Sequence, residues 1–396
     1  MNEPKLRFKA DDGSEFPEWE EKTLGDIGTA KMCKRVLKEQ TSEKGDVPFY
    51  KIGTFGGTPD AFISRELYEE LKTKYSFPRK GNILLSAAGT IGRTVVYDGQ
   101  DAFFQDSNIV WLDNDDSVLD GFLLQFYNKT SWDNLEGGTI KRLYNGLFLS
   151  KVIHVPSLPE QQKIAEFLST IDTVIEKQKE TVSAWEERKK GVMQKLFSQE
   201  IRFRADDGSE FPEWEEKKIG DLFYKVNERN NGQFGKDKWI SVAKMYYQDE
   251  DKVTSNNIDT RTYVMRVGDM SFEGHPNKEF KYGRFVVNDI GDGIISELFP
   301  IYRHKENYIL KYWKYAIQGD SIMQKVYRKS ITSSGSSSNK LDDDDFKRQS
   351  ILVPCLAEQQ KIADCLSSLD EVIEKQKATL AAWEELKKGL LQQMFV

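Results

Sequence analysis

The sequence predicts an α+β fold with two mixed α/β domains, joined by two long antiparallel coiled-coil helices in a pseudo-twofold internal repeat. Three observations support this prediction. Two segments each occur twice at nearly the same spacing, one of them carries a heptad pattern, and the stretches between them contain short apolar runs separated by turn residues. The predicted boundaries are 1–154 and 201–352 for the mixed domains and 155–200 and 353–396 for the helical regions.

Length and composition indicate a folded, multidomain chain. The 396 residues are enough for two or three domains. With 38% hydrophobic and 31% charged residues, a largely disordered chain is excluded. No stretch approaches the ~18 apolar residues of a membrane span, and the charged start does not resemble a signal peptide. Cys33, Cys355 and Cys365 are irregularly spaced, which indicates neither disulfides nor a zinc cage, so we expect a cytoplasmic protein.

The duplicated segments are the strongest signal in the sequence. Residues 7–27 and 202–222 are identical at 17 of 21 positions, and residues 155–197 and 353–395 at 28 of 43. We call these four segments the frames. The stretches between them, which share only a few anchor residues, are the first body, 28–154, and the second body, 223–352. Because the bodies differ far more than the frames, we interpret the frames as shared architecture and the bodies as carriers of specificity.

Charge is distributed unevenly between frames and bodies. The net charge of the chain is −7, but the acidic excess lies in the frames. Residues 223–356 carry 21 basic and 18 acidic side chains, and residues 28–158 carry 16 of each. This balance permits nucleic-acid binding through local patches without requiring it.

The second pair of frames predicts two long helices with a coiled-coil seam. Apolar residues recur at alternating steps of four and three, the 3.5-residue period of a coiled coil. Gln178 and Lys189, with their counterparts, are polar interruptions that tend to fix register. The predicted seam consists of Ile164, Leu168, Ile171, Ile175, Val182 and Trp185 in the first copy and Ile362, Leu366, Leu369, Ile373, Leu380 and Trp383 in the second.

Each helix needs a partner for this seam, because isolated helices owe most of their stability to packing. We predict that the two copies pair with each other in antiparallel fashion. The alternative is packing on the adjacent body or on another subunit. Ser157 and Glu160 have the spacing of a capping box, which predicts the start of the first helix. About 38 helical residues would extend ~57 Å.

The bodies have the pattern of β-rich domains with ligand-facing loops. Short apolar runs such as 82–86 and 107–112 are typical of strands. The loops between them are rich in Gly, Ser, Thr, Lys and Arg, which suit close approach to phosphates and contact with base edges. Ordinary solvated loops are the alternative. The predicted DNA-binding residues are Thr54, Gly56, Ser86, Thr90, Arg93, Lys141, Arg142 and Tyr144 in the first body and Lys244, His275, Asn277, Lys278, Lys281, Arg284, Ser336 and Lys340 in the second.

The sequence contains no recognisable catalytic or metal-binding motif. It has no phosphate-binding loop of the G-x-x-x-x-G-K-[ST] type. His154, His275 and His304 lack metal-ligand spacing. The acidic run at 342–345 lacks spaced ligands and predicts the start of a helix or a loop instead. We therefore expect no catalytic residue and no metal site in this chain.

The frames also carry a family resemblance. The signature Glu-Gln-Gln-Lys-Ile-Ala occurs at 160–165 and again at 358–363, and the first frame opens with Phe-Pro-Glu-Trp-Glu at 16–20. With two variable bodies and two helical repeats, the chain resembles the specificity subunit of a type I restriction-modification system over essentially its whole length. Cys355 and Ala357 depart from the usual pattern at the second helix start, which affects only that start.

The resemblance implies a DNA-recognition subunit without catalytic activity. Each body would be a target recognition domain that reads one half of a bipartite site in double-stranded DNA. The helices would set the spacer between the halves and dock two methyltransferase subunits, and restriction and translocation subunits would join the complex. S-adenosylmethionine, ATP and magnesium would be used by those partners, with no cofactor in this chain.

Two other functions are compatible with parts of the pattern. A non-catalytic scaffold with two protein-binding domains on a coiled-coil spacer would show the same repeats. A nuclease would cut DNA as the isolated chain with magnesium, which we do not expect. DNA binding with a steep salt dependence distinguishes recognition of a duplex from the scaffold alternative.

Overall fold

The computed structural model describes residues 4–132, 142–318, 321–332 and 338–395. The chain forms two compact units. The first unit is Met1–Glu180 with Ala378–Val396, and the second unit is Thr181–Lys377. Each unit therefore contains one body and one half of each long helix. The predicted domain boundaries stay predictions, because this division by contacts passes through both helices.

The first half of the chain alternates short strands with helices and ends in a helix of 40 residues. Its elements are β1 Glu20–Thr23, α1 Leu24–Ile27, β2 Gly28–Lys31, β3 Val47–Tyr50, β4 Phe62–Ile63, α2 Arg65–Lys74, β5 Ile83–Ser86, β6 Thr94–Val96, β7 Phe103–Phe104, β8 Ile109–Asn114, α3 Asp120–Lys129, α4 Asn145–Leu149, β9 Val152–Val155 and α5 Leu158–Phe197.

The second half follows a similar order and ends in a helix of 39 residues. Its elements are β10 Glu215–Lys218, α6 Ile219–Leu222, β11 Phe223–Val226, β12 Ile240–Ser241, β13 Tyr246–Tyr247, β14 Thr262–Met265, β15 Met270–Glu273, β16 Arg284–Val287, β17 Gly293–Ser296, β18 Ile301–His304, α7 Leu310–Ala316, α8 Ser321–Ser330, β19 Ile331–Thr332, β20 Lys340–Leu341, α9 Asp343–Arg348, β21 Ser350–Val353 and α10 Leu356–Met394.

The two bodies are built on the same four-stranded antiparallel sheet. The strand order is β2-β8-β5-β6 in the first body and β11-β18-β15-β16 in the second. The pairing register also matches, since Leu84 faces Trp111 and Ser271, at the corresponding position of β15, faces Ile301. β5 and β15 are buried at all four of their positions, so both faces of each strand are covered. The two bodies thus have the same sheet topology although few of their residues are identical.

In each half of the chain, a strand of the frame before the body pairs with the last strand of the body. β1 pairs antiparallel with β9, and β10 pairs antiparallel with β21. Glu20 faces Val155 in the first pair, and Glu215 faces Val353 at the corresponding position of the second. The frame before each body is therefore joined to the segment that leads into its long helix.

The core of the first unit includes residues from both long helices. Ile164 and Leu168 of α5 pack with body residues such as Phe122, and so do Leu391 and Phe395 from the end of the chain. The rings of Phe122 and Phe395 stack at 5.2 Å between centroids. The second unit repeats this arrangement. Its core contains Leu196 and Phe197 of α5, Ile362 and Leu366 of α10, and body residues such as Phe285.

The helices run antiparallel where they meet within each unit. In the second unit, Lys189 contacts Asp370 at 2.6 Å and Glu186 contacts Lys377 at 2.9 Å. Residue numbers therefore increase along α5 in the direction in which they decrease along α10. In the first unit, Asp172 pairs with Lys387 and Lys179 with Glu384. The predicted antiparallel pair is confirmed. The helix starts also pack on their own bodies, so both packing modes considered from the sequence coexist.

The predicted seam residues are mostly buried. Ile164, Leu168, Ile362 and Leu366 are at most 1% exposed. The remaining predicted positions are buried or half-buried, and the buried ones are Ile171, Ile175, Val182 and Ile373. The half-buried ones are Trp185, Leu369, Leu380 and Trp383.

The predicted capping box does not form. The Glu160 carboxylate turns away from the helix start toward Arg7 and Trp19, and the buried Ser157 hydroxyl has no hydrogen-bond partner among the described residues. The helix start is held instead by the Gln161 side chain, whose Nε2 donates to the Pro156 carbonyl at 2.8 Å. Gln359 makes the same bond to Pro354 at 2.9 Å, which is why a cysteine at 355 is tolerated.

Candidate nucleic-acid interface

A buried carboxylate at the start of each long helix binds two side chains of the frame that precedes the body. Glu160 is fully buried and accepts hydrogen bonds from Arg7 Nε at 3.0 Å and Nη2 at 2.8 Å, and from Trp19 Nε1 at 3.1 Å. Glu358 is bound in the same way by Arg202 and Trp214. Buried carboxylates require such compensation. The repeated residues of the frames thus perform one structural task twice.

The first body presents two loops that are fastened to each other. One loop follows β3 and includes Thr54 and Gly56, and the other joins β5 to β6. The Arg93 guanidinium donates to the Phe55 carbonyl at 2.6 Å and holds the two loops together. The Thr54 hydroxyl accepts from the Lys51 N–H at 3.2 Å, and Gly56 has a φ of +73°, which favours glycine.

The structure corrects the prediction for Ser86. Its side chain is 1% exposed, and its hydroxyl donates to the Thr90 carbonyl at 2.6 Å and accepts from the Arg93 N–H at 2.8 Å. The hydroxyl proton is used inside the loop, so the buried Ser86 has no hydrogen-bond donor left for a ligand. Ser86 therefore shapes the β5–β6 loop, whereas Thr90 and Arg93 lie exposed on it.

Of the remaining predictions for the first body, Arg142 lies beside this loop. Arg142 forms a β-bridge with Ala88, and its Nη2 donates to the Ser107 carbonyl at 2.8 Å. Tyr144 is 57% exposed. Lys141 lies outside the described residues. The structure thus brings Arg142 next to the β5–β6 loop although the two are about fifty residues apart in the chain.

In the second body an arginine takes the place of Arg93. Arg284 stands at the start of β16, as Arg93 precedes β6, and its Nη2 donates to the Ala243 carbonyl at 2.6 Å. Its guanidinium carbon lies 4.8 Å from the Phe280 ring centroid. Lys244 follows Ala243 directly and is exposed. The sequence predicted both arginines as ligand contacts, and the structure shows that each also fastens a neighbouring loop.

The β15–β16 loop carries four of the other predicted residues of the second body, His275, Asn277, Lys278 and Lys281. His275 Nδ1 lies 2.6 Å from Glu273 Oε1. The Asn277 carboxamide oxygen accepts from the N–H groups of Glu279 and Phe280, which forms a tight turn. Lys278 and Lys281 are exposed on this loop, and Lys340 is exposed on β20. Ser336 lies outside the described residues.

Several cations of the second body are paired with carboxylates. Arg266 contacts Glu228 and Asp292, and Arg303 contacts the buried Asp269 at 2.6 Å. These carboxylates raise the pKa of both guanidinium groups. Such ion pairs hold strands in position, and the paired guanidinium groups have less positive charge available to bind a polyanion.

The described residues contain no group of three or more His, Cys, Asp and Glu side chains placed to hold a metal ion. His304 lies among aromatic rings, and burial lowers its pKa to about 3. Asp342 caps α9 by accepting from the Asp345 N–H at 2.8 Å, as predicted for a helix start. No helix in the described ranges is both long enough and apolar enough to cross a membrane.

Comparison with solved structures identifies the same architecture elsewhere. The S subunit of a type I restriction-modification system from M. genitalium matches with a TM-score of 0.56 and 16% identity, over 100% of this chain and 99% of that one. A chain from a structure of type I R-M complex assembly and conformational transition matches with a TM-score of 0.53 and 14% identity, over 96% and 97%. At these identities the likeness concerns the fold.

Sequence comparison points to the same group of proteins. A putative type I restriction enzyme specificity subunit, S.HindORF215P of Haemophilus influenzae, is 56% identical over 152 residues, which are 38% of this chain and 40% of that protein. The type I restriction enzyme MjaVIII specificity subunit of Methanocaldococcus jannaschii is 24% identical over 322 residues, 72% of each chain. The match thus spans less than half of the Haemophilus protein.

The family model described as "Type I restriction modification DNA specificity domain" matches the chain twice, at residues 17–183 and 212–382. Each match covers one body together with its adjoining frames, so the internal repeat corresponds to two copies of one family domain. The chain belongs to the type I restriction-modification DNA specificity domain family.

Proposed function

We propose that this chain is the DNA-recognition subunit of a type I restriction-modification complex. Each body reads one half of a bipartite site in double-stranded DNA, and the paired helices set the spacer between the halves. The loops that Arg93 and Arg284 fasten enter the major groove, where side chains can distinguish all four base pairs. Lysines and arginines around them contact phosphates and hold the bodies on the duplex.

One observation carries this proposal: two bodies with few residues in common share a sheet order and register, while the frames that hold them are nearly identical. A shared scaffold with variable loops is what two readers of different base sequences require. A pair of sites for the same ligand would have retained similar loops. Membership in the DNA specificity domain family supports the same interpretation.

The duplicated frames also suit a complex with two copies of one partner. We propose that two methyltransferase subunits dock on them and that restriction and translocation subunits join this assembly. S-adenosylmethionine, ATP and magnesium serve those partners, and this chain is a non-catalytic, cytoplasmic subunit. Incubation of the isolated chain with DNA and magnesium should yield no cut product.

Methylome sequencing tests the function directly. A host carrying the complete system should show one bipartite methylated motif that disappears when this chain is deleted. Persistence of the motif without the chain would exclude the proposed role.

Single substitutions at the two loop-fastening arginines assign the halves of the site. We expect Arg93→Ala to relax one half-site and Arg284→Ala the other, each with a loss of about 1–3 kcal/mol in binding. The two variants serve as controls for each other. Equal damage to both halves by either variant would show that the substitution acts on the whole complex and not on one reader.

A further inference from the structure

Each body has a turn before the second strand of its sheet, and the two turns differ in sequence. In the first body the turn 105–108 precedes β8, and the Ala87 N–H donates to the Asn108 carbonyl at 2.8 Å. In the second body the turn 297–300 precedes β18, and the Phe272 N–H donates to the Pro300 carbonyl at 3.3 Å. These two hydrogen bonds are offset by two positions in the shared register, but the strands that follow, β8 and β18, occupy the same place in their sheets. The two turns therefore lead into equivalent strands.

Each turn forms a wall of an open concavity. The first concavity, with a volume of about 500 Å³, lies between the turn 105–108 and the segment 35–41. The second, with a volume of about 520 Å³, lies between the turn 297–300 and residues of β11 and β20. Arg142 lines the first and Lys340 lines the second. These two cations stand 198 residues apart, the offset of the helical repeat.

The first concavity is cationic. Its described lining includes Arg35, Lys38, Lys51 and Arg142 but one carboxylate, Asp106. Arg35 pairs with Asp106 at 2.9 Å, and Lys51 pairs with Asp60 outside the lining. Lys38 is exposed and forms no ion pair with a described carboxylate. A concave surface with this excess of positive charge attracts hydrogen-bond-accepting oxygens of a polyanion.

The second concavity combines cations with an exposed apolar side chain. Leu298 at the tip of the turn is 80% exposed, the highest value among large apolar side chains in the described part of the chain. Lys225, His275 and Lys340 share the lining with it. An isolated exposed leucine is ordinary on a protein surface. Leu298, however, shares this lining with Lys225 and Lys340. The one carboxylate in the described lining, Glu297, pairs with Arg229 and Arg261.

We propose that these two concavities are the sites where the bodies contact their DNA half-sites. In the first, Lys38 and Arg142 bind acceptor oxygens of the duplex, on a phosphate or on a guanine edge. In the second, Leu298 contacts the C5-methyl group of a thymine in the major groove. This proposal rests on the proposed function. It adds Lys38 and Leu298, which the loop composition did not identify, to the DNA-contacting residues.

The first concavity is tested with Lys38→Gln in the full chain, assembled with the methyltransferase of its own system. The probe is a duplex carrying the methylated motif of the native system. A uniform loss of affinity with a salt slope smaller by about one indicates a phosphate contact. Relaxation at one position of one half-site indicates a guanine contact, and either result supports the proposal. Lys44→Gln, an exposed lysine outside the concavity, is the matched control. Equal behaviour of the two variants would overturn the proposal.

The second concavity is tested with Leu298→Ser and the exposed control Val267→Ser. We expect Leu298→Ser to relax one thymine position in the half-site that Lys38→Gln leaves intact. Replacing that thymine by deoxyuridine should weaken the native protein about fourfold, the effect of one buried methyl group. The same replacement should leave Leu298→Ser unaffected. A second half-site without thymine, or an equal response of both proteins to deoxyuridine, would refute the contact.

Failure of this proposal is distinct from failure of the proposed function. If the native chain specifies a bipartite motif but neither variant changes it, the bodies read DNA elsewhere on their surface. If methylation does not depend on the chain, the proposed function itself is wrong. Thermal unfolding of each variant verifies that the exposed substitutions leave the fold intact.

Discussion

At the residue scale, the two buried glutamates show how the frames are stabilised. Glu160 is fully buried, whereas its partner Arg7 keeps 17% of its side chain exposed. Removing one charge from a buried pair leaves the other uncompensated, and the hydrogen bonds from Arg7 and Trp19 lose their charged acceptor. The repeated Glu of the family signature is thus explained by folding and not by catalysis.

We expect Glu160→Gln to lower the free energy of unfolding of the chain by about 3 kcal/mol. Urea unfolding followed by tryptophan fluorescence measures this change. Glu15→Gln is the control, because Glu15 and its partner Lys9 are both more than half exposed and solvent screens their pair. A Glu160→Gln variant as stable as the control would mean that Trp19 and Arg7 find other acceptors.

His304 makes the stability of the second unit sensitive to acid. Its ring stacks on Tyr308 at 3.9 Å and lies 4.3 Å from Phe223, and burial lowers its pKa from 6.5 to about 3. In the unfolded chain the His304 side chain takes up a proton near pH 6.5, whereas in the folded chain it stays neutral until about pH 3. Stability is therefore full above pH 6.5 and falls as the pH drops toward 3.

At pH 5 this proton uptake should cost about 2 kcal/mol relative to pH 7. His304→Phe keeps the aromatic contacts but cannot be protonated, so its stability should fall less between these pH values. Urea unfolding of both proteins at pH 7 and pH 5 makes the comparison. Parallel losses in the two proteins would assign the acid sensitivity to other groups.

Exposure in a loop could be predicted from the sequence, whereas a hydrogen bond to a local partner could not, and DNA contact by the chosen residues stays a prediction. Exposed cations in glycine-rich loops could be selected from sequence, and Arg93, Lys244 and Lys278 do lie on exposed loops. The role of Ser86 could not be predicted, because its hydroxyl is hydrogen-bonded to backbone groups of residues four and seven positions later in the chain. Leu298 carried no sequence signal, since a single leucine is not distinctive.

At the element scale, reciprocal ion pairs fix the register of the long helices. Lys189 and Lys387, predicted as polar interruptions, each reach an aspartate of the other helix. Asp370 also accepts from the Tyr315 hydroxyl at 2.7 Å, and Asp172 from Gln125 Nε2 at 3.0 Å. Each aspartate thus joins the facing helix to a body. A shift of one helix by a turn would break both interhelical ion pairs.

The spacer role of the helices is tested by changing their length. Adding one heptad at the same repeat position in both helices preserves the seam and extends each by ~10 Å. We expect the methylated motif to gain about three base pairs between unchanged half-sites, at ~3.4 Å per base pair. Substituting exposed residues of one heptad without an insertion is the control. A motif of unchanged length would refute the spacer role.

The helices were predictable because their pattern is local. Alternating steps of four and three specify a coiled-coil face from one segment alone. Asp172 and Asp370 lie outside those steps, so their partners became evident only from the facing helix and the body. The capping box failed for a similar reason, because Glu160 is held by Arg7, which lies 153 residues away in the chain.

At the scale of the whole molecule, the duplication was evident from sequence but the common sheet was not. The strands of the bodies have apolar patterns, yet their order depends on pairings such as β2 with β8, which join segments about eighty residues apart. Local patterns do not encode such pairings. That the turns 105–108 and 297–300 lead into equivalent strands also follows from the sheets, since the residues of the two turns differ.

The position of the last helical turns has a consequence for synthesis of the protein. Leu391, Met394 and Phe395 complete the core of the first unit, and the Leu6 N–H donates to the Gln393 carbonyl at 3.0 Å. The ribosome makes every residue of the second unit, through 377, before it makes these. The first unit must therefore wait for translation of residues 391–395 before it can finish folding, and a nonsense mutation just before codon 391 would damage the first body although that body is translated in full.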